Sequence, residues 1–321
     1  MERPSPSTFI LKAANLVWAN NAASIRRKMT RFRIPLKISM GLALLPIFGV
    51  GCSSVLKPSL AERNHAYGEV SPQAQKDTRH FTIATFYLLT ADREIDASEF
   101  RNPRAHPNLL SHGKAGGLAF AIDERGYLLT ASHCVGEHMY LLGVLNGKAT
   151  VLRPTVVARA LLKVGAEYAL LHVDEPLTEH LELGGKVAIG DSVIAVLLDW
   201  NHRKPLEIAG GVVTAIRQLP QNEKVGVIES SIPTWHGDSG GPLLDSEGHA
   251  IGINTAGVWN IGLRGLSVFH ISAQIDANEI KHLVEQDVGR RAFSQSPEAT
   301  RSAGMPVAGQ PARQPALLPR L

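Results

Sequence analysis

In "GDSGG", Gly237 to Gly241, a serine is framed by glycines, and here residue type and spacing first offer chemistry. A serine hydroxyl is a poor nucleophile at neutral pH. It needs a base within hydrogen-bond reach, and donors aimed at the oxygen that turns negative when it attacks a carbonyl. His133, in "GYLLTASHCV" 106 residues upstream, is the candidate base. The backbone N–H groups of Gly237 and Ser239 are the candidate oxyanion donors. Glycine at 237 and 240 would let that loop adopt conformations closed to other residues. Serine and glycine also build plain turns, so the surrounding elements must decide.

Those elements are short. Apolar runs such as "HFTIATFYLL" (80–89), "GGLAFAI" (116–122), "YALLHV" (168–173), "DSVIAVLL" (191–198), "GGVVTAI" (210–216) and "HAIGINT" (249–255) recur between turn signals such as "DERG" and "DSEG". That pattern predicts an all-β sandwich or barrel. Near the end, Ile275, Ile280, Leu283 and Val284 recur at helical spacing and predict an amphipathic helix over 272–286. Gly-x-Ser-x-Gly also marks the nucleophile elbow of α/β-hydrolases, where a helix must follow the serine. Here Pro242 follows at once and "LLDSEGHAIGI" reads as strand, tight turn, strand. The histidine also precedes the serine, so an esterase of that type is disfavoured.

"LLTASHC" followed by "GDSGGPL" resembles the chymotrypsin-fold serine proteases. "GGLAFAIDERGYLLTASHCVGE", "EYALLHVDEPL", "IGDSVIAVLL", "GGVVTAI" and "GHAIGINTAG" are similar to successive strands of its bacterial trypsin-like branch, including the Deg-type proteases. The resemblance covers about residues 80–285. It implies an all-β protein of two six-stranded antiparallel β-barrels, at about 80–180 and 185–270, with a C-terminal helix; because the domain's own remaining strands and helix take up the chain after Ser239, no PDZ-like module is expected. It further implies a serine endopeptidase working through an acyl-enzyme, with Ser239 as nucleophile and His133 as base. In this family the acid that orients the base opens a strand of the form Asp-apolar-Ala-apolar-apolar. The matching stretch here, "EYALL", puts Glu167 at that position, 34 residues after His133. Glutamate is one methylene longer and must pull back or twist to hold the imidazole. Asp174 in "HVDEPL" is the second candidate, expected at the far strand end. A third alternative has no working acid, leaving a peptide-binding pseudoprotease.

The same resemblance assigns Asn254, Thr255, Ala256 and Gly257 to the strand that pairs with substrate backbone. Asn254 stands where glutamyl-specific relatives use a histidine. No aspartate lies in "SSIPTW" before Ser239, which disfavours a Lys/Arg preference. With Val268 narrowing the pocket, a small or medium apolar residue is expected before the scissile bond. Asp238 is expected in a local turn role, Cys134 as a buried thiol, and His236 as a half-exposed neighbour of the oxyanion loop.

A net charge of +4 invites a nucleic-acid reading, but the charge is local. Residues 1–51 hold eight Lys/Arg and one acid, leaving 25 basic against 28 acidic residues elsewhere. The basic "MTRFRIPLK" (29–37) and the apolar "ISMGLALLPIFGVG" (38–51) form a secretory-type leader, too short for a comfortable membrane span. "FGVGCSS" resembles a bacterial lipoprotein box with Cys52 as the lipidated residue. A simple signal or an uncleaved anchor helix remain open, as does a start at Met29. The expected organisation is leader 1–52, tether 53–79, protease domain 80–286 and a disordered Pro-rich tail 287–321. Export to the cell envelope, facing the periplasm or exterior, follows from the leader. With only Cys52 and Cys134, no structural disulfide is expected. No metal-ligand spacing links the thirteen histidines, and neither metal nor cofactor is expected. The expected partners are a peptide or protein substrate and, through the N-terminus, the membrane.

Overall fold

The computed structural model describes residues 72–96, 99–100, 113–160, 167–198, 206–219, 222–234, 237–262 and 265–294. Helix α1 (Pro72–Ile83) carries proline at its first position, where the missing N–H has no helical partner to lose. Seven strands follow: β1 (Thr85–Ala91), β2 (Gly113–Ala121), β3 (Tyr127–Thr130), β4 (His138–Leu145), β5 (Lys148–Leu152), β6 (Thr155–Arg159) and β7 (Ala169–His172). They form one antiparallel sheet in the order β5-β4-β1-β2-β3-β7-β6. The β4–β5 hairpin turns on Asn146 and Gly147, with φ of +51° and +73°, the positive pair that matches the twist of a two-residue hairpin. Strands β3 and β7 are buried along their whole length.

The second half comprises β8 (Ser192–Leu198), β9 (Leu206–Leu219), β10 (Asn222–Ser230), β11 (Pro242–Leu244), β12 (Ala250–Gly262) and β13 (Gly265–Gln274). These close into a six-stranded barrel, β10-β13-β12-β11-β8-β9. Val193, Ala195, Leu197, Ala209, Ile228, Leu243 and Ile251 fill it and are at most 2% exposed. Helix α2 (Ala277–Ser294) follows, capped by Asp276, whose Oδ1 accepts from the N–H groups of Asn278 and Glu279 at 3.0 and 3.1 Å.

The all-β architecture with a terminal helix matches the sequence reading, with differences of detail. The first half is a seven-stranded sheet, and its edge strands β5 and β6 are not hydrogen-bonded to each other. Arg153 and Pro154 separate them, and Pro154 has no N–H to give to a ladder. Residues 80–83 end α1 instead of opening the first strand. Residues 72–79, expected in the tether, are helical because the buried Phe81 gives α1 an apolar anchor. At the other end, Ser272–Gln274 belong to β13, and α2 runs on to Ser294, into the span expected as tail. Cys52, the leader and residues 295–321 lie outside the described residues. The chain divides into two compact units, Met1–Ile280 and Lys281–Leu321. In the second, Asp287 pairs with Arg290 at 3.3 Å and Arg291 at 2.6 Å. Among the described residues, no helix is long and apolar enough to cross a membrane.

Candidate active site

Strand β3 runs buried to Thr130 and hands over to a single 3-10 turn, Ser132–Cys134. That turn buries Ser132 and Cys134 and leaves the His133 side chain 45% exposed between them. Arg159, at the end of β6, fixes the turn: its Nη2 donates to Ser132 O at 2.8 Å and its Nε to Ser132 Oγ at 3.2 Å. Glu167 lies just before β7, and β7 pairs with β3 from Tyr127↔His172 to Thr130↔Ala169. That register sets Glu167 beside the turn. It is 6% exposed, and its Oε1 takes both the His133 Nδ1 and, at 3.2 Å, the His133 backbone N–H. The longer glutamate therefore does reach the imidazole. Asp174 lies past the other end of β7, 93% exposed at its side chain and facing His172 at 3.7 Å.

The environment favours the imidazolium. Cys134 beside the ring and the Glu167 carboxylate push His133 up from 6.5 to about 10, against the opposing cost of its partial burial. Glu167 holds the ring at Nδ1 and the turn at the His133 backbone N–H. The Cys134 thiol itself donates to Ser239 O at 3.7 Å.

Ser239 sits on the loop between β10 and β11, and that loop is fastened to both halves of the fold. Its carbonyl accepts from Leu118 N at 2.8 Å, while Gly240 N donates to Asn254 O at 2.7 Å and Asn254 N to Gly241 O at 2.9 Å. Asp238 is fully buried, and its Oδ1 accepts from Leu198 N at 2.9 Å, so it ties the loop to β8 and does more than stabilise a local turn. The approach to β2 is close. A Cβ at Gly240 (φ +86°) would stand 2.0 Å from Leu118 O, and one at Gly117 2.2 Å from Ser239 O, so both positions are confined to glycine. Gly237, with φ +103°, precedes the serine. No backbone acceptor among the described residues takes the Gly237 or Ser239 N–H. The Ser239 hydroxyl is directed to Thr255 O at 3.3 Å, not to His133. A bulge between Asn254 and Ala256 places that carbonyl, and Thr255 Oγ1 is held on Ile271 O at 3.1 Å.

Ser239 is followed by strand β11, without an elbow helix. Asn254, Thr255, Ala256 and Gly257 all lie on β12, while His236 lies outside the described residues. Sequence reasoning missed Arg159, because nothing in "TVVARA" signals that β6 ends against the histidine turn. It missed Leu118 for the same reason.

Residues 117–253 match the family described as trypsin-like peptidase domain. The all-β fold, with its seven-stranded sheet and closed barrel, is consistent with that match. Among curated proteins, it is 31% identical over 143 residues to "Probable periplasmic serine endoprotease DegP-like" of Halomonas elongata, covering 43% of this chain and 29% of the relative. It is 26% identical over 230 residues to the protein of the same description from Rhizobium meliloti, covering 66% and 42%. The chain thus spans less than half the length of these relatives. Among solved structures, an "HtrA-type protease AlgW with decapeptide" is 20% identical with a TM-score of 0.49, covering 67% of this chain and 68% of that one.

Proposed function

We propose that the protein is an exported serine endopeptidase that cleaves peptide bonds through an acyl-enzyme, with Ser239 as nucleophile, His133 as base and Glu167 as the orienting acid. The observation that carries this reading is the Glu167 contact to both Nδ1 and the backbone N–H of His133. It fixes the ring with Nε2 as the end left to take a proton. The Ser239 hydroxyl leaves Thr255 O by rotating about χ1 and gives its proton to neutral His133 as Oγ bonds to the carbonyl carbon. The N–H groups of Gly237 and Ser239 hold the oxyanion, a contribution worth about 10²–10³ in rate per donor. The imidazolium then protonates the departing amine as the C–N bond breaks. Water, deprotonated by His133, releases the acyl group and restores the serine.

A second reading is a peptide-binding module without turnover. It is favoured by the Ser239 hydroxyl resting on Thr255 O and by an imidazole lifted to about 10, hence protonated at neutral pH. Labelling with a fluorophosphonate probe separates the two. Labelling that Ser239→Ala abolishes supports the protease, and no labelling between pH 7 and pH 10 supports the binding module.

Residues 1–52 are proposed as an export leader with Cys52 lipidated. The apolar run ahead of Cys52 and the periplasmic designation of the relatives support delivery to the cell envelope.

A further inference from the structure

The register that brings Glu167 to His133 stops short of Glu167 itself. Ala169 is the first residue of β7 to pair, with Thr130 on one side and Arg159 on the other. Tyr168 therefore stands one residue beyond the ladder and Glu167 two. A carboxylate that orients an imidazole needs a backbone that does not drift, since a misplacement of about 1 Å can cost about 10²-fold. Tyr168 supplies two anchors. Its carbonyl accepts from Ala160 N at 2.9 Å, beside the Arg159 that holds the histidine turn. Its hydroxyl donates to Glu279 Oε1 at 2.7 Å.

Glu279 is the third residue of α2, three after the N-cap Asp276. An N-cap residue followed three positions later by glutamate is the pattern of a capping box, in which the glutamate side chain turns back to the N-cap N–H. Here its Oε1 reaches out to a tyrosine 111 residues away in the chain. The helix start is itself fixed to the half of the fold that carries the nucleophile. Ile275 N donates to Ile251 O at 3.0 Å, Asp276 Oδ1 holds the Glu279 N–H at 3.1 Å, and Ile280 is buried. Ile251 lies on β12, the strand that also sets Asn254 and Thr255 against the Ser239 loop. The Tyr168 hydroxyl thus joins the segment of the acid to the barrel of the nucleophile, within one compact unit. Partial burial and the Glu279 carboxylate both raise that hydroxyl above its ordinary value of 10.0. It remains a donor in the range near 10 where His133 becomes neutral, a range in which an ordinary tyrosine would ionise.

We propose that Tyr168 is a positioning residue of the active site: its hydroxyl, held by Glu279 at the start of α2, keeps the neighbouring Glu167 against the His133 ring. This rests on the peptidase reading. The first turn of the terminal helix is then part of what orients the base, and loosening that turn loosens the acid.

The test uses the full-length chain and two readouts: the rate of fluorophosphonate labelling at Ser239, and the NMR titration of the His133 ring in a Ser239→Ala background. Tyr168→Phe removes only the hydroxyl. It should slow labelling about tenfold or more and lower the His133 midpoint by about half a pH unit or more. Glu279→Leu should do the same, whereas Glu279→Gln, which keeps an acceptor oxygen, should recover most of both. Adding Tyr168→Phe to Glu167→Gln should change labelling less than about twofold, because the carboxylate through which the hydroxyl acts is already gone. Circular dichroism checks that each variant folds. The Tyr168 and Glu279 variants break one bond from its two ends, so either suffices. Unchanged labelling and titration in Tyr168→Phe or Glu279→Leu overturn the proposal. So does an equal loss with and without Glu167→Gln, which would mean a general loosening of the fold and no hold on the acid. In a chain that no fluorophosphonate labels, the protease reading falls by itself, and the His133 titration still decides whether Tyr168 holds Glu167.

Discussion

Replacing Glu167 by glutamine removes the charge under His133 while keeping a side chain of nearly the same size, so it isolates the electrostatic part of the site. His133 is lifted from 6.5 to about 10, which in a dry interior would correspond to about 5 kcal/mol of preference for the charged ring. With 45% of the side chain exposed, solvent screening cuts this to about 1–2 kcal/mol. The sign follows from the direction of the shift. A group raised in the folded state contributes fully below its unfolded value near 6.5, and that contribution is lost as pH climbs through about 10. Native protein should therefore lose about 1–2 kcal/mol of folding stability across that window by urea titration, and Glu167→Gln, which keeps the Cys134 contribution, should lose less. The acid limb of kcat/KM, which needs neutral His133, should lie above pH 7 in the native enzyme and move down by about one pH unit in the variant. Loss of orientation should lower the plateau by about 10²–10⁴. Direct titration of the His133 ring by NMR reads the same shift without activity. Identical His133 titrations in the two proteins would refute the reasoning, since the carboxylate would then not be holding the proton.

Gly240→Ala should destabilise the fold by about 3 kcal/mol or more and remove probe labelling, because its Cβ would stand 2.0 Å from Leu118 O; unchanged thermal unfolding would contradict the close approach. Arg159→Ala should lower kcat about tenfold with little change in KM, because it frees the Ser132 carbonyl and hydroxyl that hold the histidine turn. Arg159→Lys should restore only part, since one ammonium cannot reproduce the two-pronged contact, and full activity in Arg159→Ala would remove the positioning role. Cys52→Ala should release the protein from membranes on fractionation, whereas unchanged association would point to an anchor helix.

Much of the chemistry was legible along the chain. The types at 133, 167 and 239 and the glycines around the serine name the groups, and the short apolar runs name an all-β fold, because these signals are local. Two features of the first half were not. Helix α1 was hidden in a polar stretch whose one strong apolar anchor, Phe81, only burial reveals. The open edge at β5 and β6 was hidden because strand pairing is decided by register between distant segments.

Sequence by itself determined which atoms are available to react and in what order they occur. Tertiary structure alone decided that Glu167 touches the ring and Asp174 does not, since the β3–β7 register turns one toward the imidazole and carries the other past the far end. It also decided that the Ser239 hydroxyl rests on Thr255 and that the Tyr168 hydroxyl is tied to Glu279. Both depend on a bulge and on pairings between strands far apart in the chain, which no neighbouring residue encodes.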